Sequence, residues 1–414
     1  MPELASAIEA ATAKLSGIVR TTPLELSARL SGILQQPVYL KREDIQVGRS
    51  YKVRGAYNFI SSLTPEQRSH GVVCASAGNH AQGVAFACRR LQTHGKVFLP
   101  STTPRQKRER IADIGGPWVE QVITGAVFDE TQAAAMEAAA ATGAEYVPPF
   151  DHPAIVAGQG TVAAQILEQT PGEIDTVVVP VGGGGLLAGI VSWFAVHSPS
   201  TRIVAAEPLG ARSLAAAVEA GKPVPLAQVD SFVDGAAVRQ VGALPFEIIS
   251  THPVYLTAVP EGAVCTEMLD LYQTEGIIAE PAGALASAAV RGYLPFAPAG
   301  PVVCIVSGGN NDVSRYADIL ERSLVHEGLR HYFLVTFPQR PGALRHFLEG
   351  VLSDGEDIVL FEYVKKTNRE TGPALVGIDL ADRSGLPALL ERMEASPLQI
   401  EKLAPDSPVF EFLL

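Results

Sequence analysis

The sequence is short of the features that mark several protein classes. Its four cysteines, Cys74, Cys88, Cys265 and Cys304, stand singly in apolar surroundings. No two have zinc-ligand spacing and no secretory context accompanies them, so they read as reduced core residues rather than as a disulfide framework or a metal site. Positive charge is also scarce. Lys and Arg total 32 against 44 Asp and Glu, a formal net charge of -12, which argues against nucleic acid or an anionic membrane as partner. Long apolar runs are missing too. The longest uncharged stretch, 177–196, is interrupted by Pro180 and by Gly182 to Gly185, so a strand, a loop and a helix are expected there instead of a membrane span. The opening residues carry Glu3 and Glu9 and lack the apolar block and cleavage site of a secretory signal, so a cytoplasmic protein is expected.

What is present is ample material for cores. Hydrophobic residues make up 47% and charged residues 18% of 414 residues, which exceeds what one core usually supports. A large part with at least one further domain is expected. From about 38 to 323, short β-branched runs alternate with helical patterns, the habit of βαβ units around parallel sheets. Strands are expected at 38–40, 72–75, 97–99, 176–180, 202–206 and 302–306, and a crossover helix at the Ala-rich segment 128–142. The Pro/Gly-rich segment 291–301 reads as a loop. After Val325 the pattern changes to a strand at 331–337, a turn at Pro341-Gly342, a helix at 343–352, strands at 358–364 and 374–380, a helix at 386–393 and a strand at 398–403. That order is βαββαβ, the ferredoxin-like split unit. The expected division is a catalytic part at 1–326 and a small α+β domain at 327–414.

Four motifs carry chemistry. Ser50-Tyr51-Lys52-Val53-Arg54-Gly55-Ala56 follows a polar loop and precedes a helical run at 57–63, which places Lys52 near a helix start. Taken alone, such a lysine reads as a solvated surface cation. Ser76-Ala77-Gly78-Asn79-His80-Ala81-Gln82-Gly83 follows an apolar run and precedes a helix, where free backbone N–H groups and the helix dipole suit a carboxylate. Alone it reads as N-capping by Ser76 or Asn79. Val181-Gly182-Gly183-Gly184-Gly185-Leu186 lies between a strand and an apolar helix, and its four glycines let backbone amides close around a phosphate. It has neither the Gly-Lys-Ser/Thr of a Walker loop nor dinucleotide-binding spacing; a tight structural turn is the alternative. Ser307-Gly308-Gly309-Asn310 again follows a strand, so its hydroxyl is expected at the sheet's C-terminal edge; alone it reads as another turn.

Together the motifs supply an amine, a carboxylate cradle, a phosphate cradle and a hydroxyl. The stretches RSYKVRGAYN, SAGNHAQGVA, VGGGGLLAG, EPAGALA and SGGNND resemble those of threonine dehydratase (threonine ammonia-lyase), a fold-type II pyridoxal phosphate enzyme, over about residues 5–323. The resemblance implies an α/β catalytic part of two doubly wound parallel-sheet subdomains, the smaller spanning roughly 50–150 within the larger. It implies that Lys52 carries the cofactor, that Asn79 meets its phenolic oxygen, and that Gly182, Gly183, Gly184, Gly185 and Leu186 bind its phosphate. Ser307 would face the pyridine nitrogen, Tyr51 would pack beside the ring and Glu280 would lie near the cofactor. Ser76, Gly78 and His80 would surround the substrate carboxylate.

The implied reaction converts L-threonine to 2-oxobutanoate and ammonia, and L-serine to pyruvate. A serine-preferring dehydratase or racemase on the same fold is the nearest alternative, and a catalytically inactive amino-acid sensor is the alternative of another class. Serine racemases of this fold carry a second serine at the position of Ala77 and an acid at that of Ser213, near their divalent cation, so neither racemisation nor a metal is expected. The segment 327–414 contains TFPQRPGALRHFL and IVLFEYVKK and resembles the single ACT-like regulatory domain of short biosynthetic relatives. That implies a place in isoleucine synthesis and feedback inhibition by isoleucine, opposed by valine. Phe337, Arg340, Pro341, Gly342 and Leu344 are then expected near the effector. A purely structural role in holding subunits together is the alternative for this domain, and a homodimer or homotetramer is expected either way.

Overall fold

The computed structural model describes residues 2–363, 369–404, 407 and 410. It divides into two compact units, Met1–Asp312 and Val313–Leu414. The expected boundary at 327 thus lies inside the second unit. The reason is the helix Tyr316–His326, which is joined to the strand after it: Tyr332 donates a hydrogen bond to Glu321, and Val325 packs with Tyr332 and Leu403.

The first unit contains two sheets. The larger has six strands in the order Leu24–Leu26, Val38–Arg42, Val302–Val306, Thr176–Pro180, Arg202–Pro208 and Val254–Val259. Only the first pairing is antiparallel. Thr176–Pro180 and Val302–Val306 are buried along their whole length, which is why they read as unbroken apolar runs: a central parallel strand is covered on both faces. Their side chains pack with Leu187, Val191 and Phe194 of the helix Gly185–His197 and with Val162 and Ile166 of Pro153–Gln169.

The smaller sheet is wholly parallel, in the order Val119–Ile123, Gly95–Leu99, Val72–Ala75 and Glu145–Tyr146. Its core joins Val72, Cys74, Val97 and Leu99 to Ile60 of the helix Lys52–Ser62 and to Val84 and Cys88 of Asn79–Leu91. All four cysteines are buried. The Ala-rich helix occupies Phe128–Thr142 as expected and stops at Gly143, whose φ of 71° suits a left-handed C-cap.

The second unit is a four-stranded antiparallel sheet in the order Glu356–Tyr363, Thr371–Leu380, Arg330–Pro338 and Gln399–Lys402. With the helices Ala343–Val351 and Leu386–Ala395 this is the ferredoxin-like βαββαβ arrangement. The last residue of the strand expected at 358–364, Val364, lies outside the described residues. Among the described residues no helix is long and apolar enough to cross a membrane.

Candidate active site

Lys52 opens the helix Lys52–Ser62, five residues earlier than the helical run at 57–63 suggested. The chain reaches it through a tight turn in which Gly48 and Arg49 both take left-handed backbone, φ 71° and 55°. An isolated antiparallel bridge pairs Ser50 with Gly308. Around it, Tyr51 N–H donates to the Ser307 carbonyl at 3.2 Å and Gly309 N–H to the Arg49 carbonyl at 2.9 Å. Lys52 and Ser307, 255 positions apart (307 minus 52), are therefore tied by backbone. The Lys52 amine donates to the Pro149 carbonyl at 3.2 Å and lies 5.4 Å from the centre of the Tyr51 ring.

All the residues expected to meet cofactor or substrate, Tyr51, Lys52, Ser76, Gly78, Asn79, His80, Gly182 to Leu186, Glu280 and Ser307, line one cavity of ≈ 1330 Å³. The glycine loop forms part of its wall, at the N-terminus of the helix Gly185–His197. Gly184 has φ 86°, but the other glycines are dictated by space. A Cβ on Gly183 would lie 2.2 Å from the Phe150 ring, and one on Gly185 3.0 Å from Phe150 Cβ. One on Gly182 would lie 3.0 Å from Ala236 Cα. Side chains would fill the cradle, and their absence leaves backbone N–H groups at a helix N-terminus open to an anion. These residues fit a phosphorylated cofactor.

On the opposite wall, Ser76 does not cap the helix Asn79–Leu91. Its hydroxyl accepts from Gly78 N–H at 3.2 Å, and Gly78 is the N-cap without a side-chain bond. Asn79 is not a cap either: its amide donates to Glu280 at 2.5 Å and its carbonyl oxygen accepts from Asn310 Nδ2 at 2.7 Å. His80 is buried with Nε2 2.9 Å from the Val147 carbonyl, so that nitrogen carries the proton. Ser307 donates to the Ala282 carbonyl at 3.1 Å.

Burial shapes the charges. Desolvation lowers the Lys52 amine to about 8 against the opposing pull of Glu280. Desolvation and then the Lys52 charge lower His80 to about 4, keeping its ring neutral near pH 7. Glu280 is raised to about 7, first by desolvation and then by Asp234, with bonds from Asn79 and Asn310 N–H pulling the other way. Burial also pushes the Tyr51 hydroxyl up. The site thus combines an amine that is readily neutral with a carboxyl that holds its proton to unusually high pH.

Sequence reading missed Pro149 and Phe150, which touch Lys52 and the glycines from the loop before the helix Pro153–Gln169; no motif marks them. It assigned no role to Asn310, although the motif Ser307-Gly308-Gly309-Asn310 ends on it. In the second unit, Phe337 is buried against Phe347, Phe361 and Tyr363 and so serves that unit's core. Arg340, Pro341, Gly342 and Leu344 lie exposed at the turn and helix start beside it.

Comparison with known proteins agrees with this geometry. A family model described as pyridoxal-phosphate dependent enzyme matches residues 15–308, and one described as the C-terminal regulatory domain of threonine dehydratase matches 321–413. The chain is a pyridoxal phosphate-dependent enzyme of fold type II with a C-terminal regulatory domain. It is 56% identical over 414 residues to L-threonine dehydratase biosynthetic IlvA of Corynebacterium glutamicum, covering 99% of this chain and 95% of that protein. Its likeness to the protein of the same name from Bacillus subtilis is 47% over 397 residues, with 96% and 94% covered. The processed form of threonine deaminase isoform 2 from Solanum lycopersicum superposes with a TM-score of 0.73 at 38% identity, covering 78% of this chain and 94% of that one. Maize serine racemase does so at 0.71 and 31%, covering 78% and 98%. The chain belongs to the threonine dehydratase family.

Proposed function

We propose that the protein removes the β-hydroxyl of L-threonine as water, and that the returning water then releases ammonia and leaves 2-oxobutanoate; L-serine gives pyruvate by the same route. The observation carrying this reading is the meeting, in one cavity, of the Lys52 amine, the glycine cradle and the Ser307 hydroxyl. Lys52 would hold the cofactor, Gly182 to Leu186 its phosphate, Asn79 its ring oxygen and Ser307 its ring nitrogen, with Tyr51 and Glu280 alongside. When bound, pyridoxal phosphate supplies a conjugated electron sink for the substrate's Cα. The Lys52 amine, its pKa lowered to about 8 by desolvation so that a useful fraction is neutral, would take the Cα proton. Ser307 would offer the ring nitrogen a neutral hydroxyl, which does not enforce a protonated ring as a carboxylate would, and this would favour loss of the β-hydroxyl over other outcomes. Ser76, Gly78 and His80 orient the substrate carboxylate at the start of the helix Asn79–Leu91.

The regulatory domain supports a second part of the reading: isoleucine inhibits and valine opposes it in a cytoplasmic homo-oligomer, a dimer or tetramer, with effectors received around Arg340 to Leu344. The test is release of ammonia and 2-oxobutanoate from L-threonine, with and without isoleucine, by the wild type and Lys52→Ala. Turnover lost in Lys52→Ala and suppressed by isoleucine is expected. Absence of wild-type turnover would leave the inactive-sensor reading standing. Faster formation of pyruvate or D-serine from L-serine would move the assignment to the serine enzymes.

A further inference from the structure

Two residues beyond Lys52, on the same helical turn, Arg54 is fully buried. Its guanidinium grips the equally buried Glu43 through two bonds, Nε to Oε2 at 2.8 Å and Nη2 to Oε1 at 2.7 Å. It also donates to Thr161 at 3.1 Å and Gln165 at 2.8 Å. Behind the pair, buried Lys41 donates to the Thr22 carbonyl at 2.6 Å, to Gln165 at 3.1 Å and to Gln169 at 2.9 Å, while the Thr22 hydroxyl donates to Glu43 at 2.5 Å. The network's donors reach Glu43 just after the strand Val38–Arg42, Thr22 just before the strand Leu24–Leu26, and Thr161, Gln165 and Gln169 of the helix Pro153–Gln169.

Burying three charges is costly unless their geometry is exacting, so stability alone is a weak reason for such a cluster. Its location suggests another. The helix Pro153–Gln169 approaches the Lys52 helix backbone to backbone, since a Cβ on Gly158 would lie 2.6 Å from Gly55 Cα. Gln159 bonds Gly55 N–H at 3.2 Å. The same helix comes after the loop that carries Pro149, which receives the Lys52 amine, and Phe150, which backs the glycine cradle. A bidentate guanidinium fixes both distance and angle, which a lysine at that place would not.

We propose that Arg54 and Glu43, braced by Lys41, are positioning residues that set the Lys52 amine at its working place relative to the glycine cradle. This rests on Lys52 being the cofactor lysine. The pair does not touch the cavity and acts only through the helix start.

The experiment compares Arg54→Lys, Glu43→Gln, Lys52→Ala and Arg29→Lys with the wild-type holoenzyme. Arg29 is a matched control: it forms a similar bidentate bond to buried Glu267, at 2.7 and 2.9 Å, away from the cavity. Three readouts are taken: kcat and KM for L-threonine, the rate at which apo-protein captures pyridoxal phosphate, and the pH dependence of the bound cofactor's absorption. The positioning role requires Arg54→Lys or Glu43→Gln to lower kcat about 10- to 100-fold with KM changed less than about threefold. Slower capture and a displaced spectroscopic pH profile accompany it. Arg29→Lys lowers the melting temperature without those changes. If whichever of the two network variants folds behaves like Arg29→Lys, the proposal is overturned. If Lys52→Ala still captures cofactor and turns over, the underlying reading of Lys52 falls instead.

Discussion

Gly183→Ala isolates the steric part of the phosphate cradle. The backbone of Gly183 is not in the left-handed region, so the added methyl brings no conformational penalty of that kind. Its whole effect is contact: the new Cβ would stand 2.2, 2.3 and 2.4 Å from three atoms of the Phe150 ring, more than 1 Å inside ordinary van der Waals separation (roughly 3.5–4.0 Å). The residue is itself held close: a Cβ on Gly242 would lie 3.0 Å from Cδ2 of the ring, and one on Gly185 3.0 Å from Phe150 Cβ. Overpacking of this kind costs about 1–3 kcal/mol. If the strain falls on the cofactor-bound geometry, affinity for pyridoxal phosphate weakens roughly 5- to 150-fold. The assay is titration of apo-protein with the cofactor, monitored by its absorption, alongside Gly276→Ala. Gly276 has φ 66° and open space around it, so alanine there costs stability through backbone conformation alone. Cofactor affinity within twofold of wild type in Gly183→Ala would refute the cradle's steric requirement.

Three other perturbations have equally definite outcomes. With its amine at about 8, Lys52 is about 9% neutral at pH 7, against about 0.03% for an ordinary amine at 10.5, so capture of cofactor by apo-protein should accelerate as pH rises through 8 and then level. A rate still climbing tenfold per unit above pH 9 would contradict the depressed value. His80 is neutral in the fold at pH values where the unfolded chain's histidine binds a proton, so its contribution to stability is whole above about 6.5 and is lost as pH falls toward 4, by about 3 kcal/mol; His80→Gln should flatten that part of the denaturation profile. Phe347 is 1% exposed and meets Phe337 edge to face at 5.4 Å, so Phe347→Ala should destabilise the second unit by about 3–5 kcal/mol and abolish any isoleucine response while threonine turnover persists in the absence of effector.

What could be read from the sequence divides along a physical line. Strands covered on both faces announce themselves as apolar runs, and those at 72–75, 176–180 and 302–306 fall where expected. Val119–Ile123 does not, because it is an edge strand with Glu120 and Gln121 among its half-buried and exposed positions. The antiparallel Leu24–Leu26 has only three residues, too few for any periodicity. At the site, residue identities were legible but their partnerships were not. Taken with its own segment alone, Asn79 reads as a helix cap, because nothing local shows that its amide meets Glu280 and Asn310, 201 and 231 positions away. Phe150 was invisible for the same reason, since a lone aromatic in a loop carries no pattern until Gly183 is found beneath it.

The convergence of three of the four motifs, those carrying Lys52, the glycine loop and Ser307, needs no special loop design once the strand order is known. In the large sheet, Val38–Arg42, Val302–Val306 and Thr176–Pro180 are neighbours and parallel, with Val306 opposite Arg42 and Val302 opposite Thr176. Segments leaving their C-terminal ends must emerge along the same edge, where α/β sheets bind ligands. The strand that delivers Ser307 lies between the one that leads to Lys52 and the one that ends at the glycine loop. A hydroxyl placed after Val306 therefore falls between the amine and the phosphate cradle by topology alone. The bridge from Ser50 to Gly308 fixes the remaining freedom on the Lys52 side. On the other side, Phe150 packs against Gly183 and Gly185 of the glycine loop. A change in register of Val302–Val306 would thus move Ser307 relative to both partners at once, whereas a loop substitution moves only one.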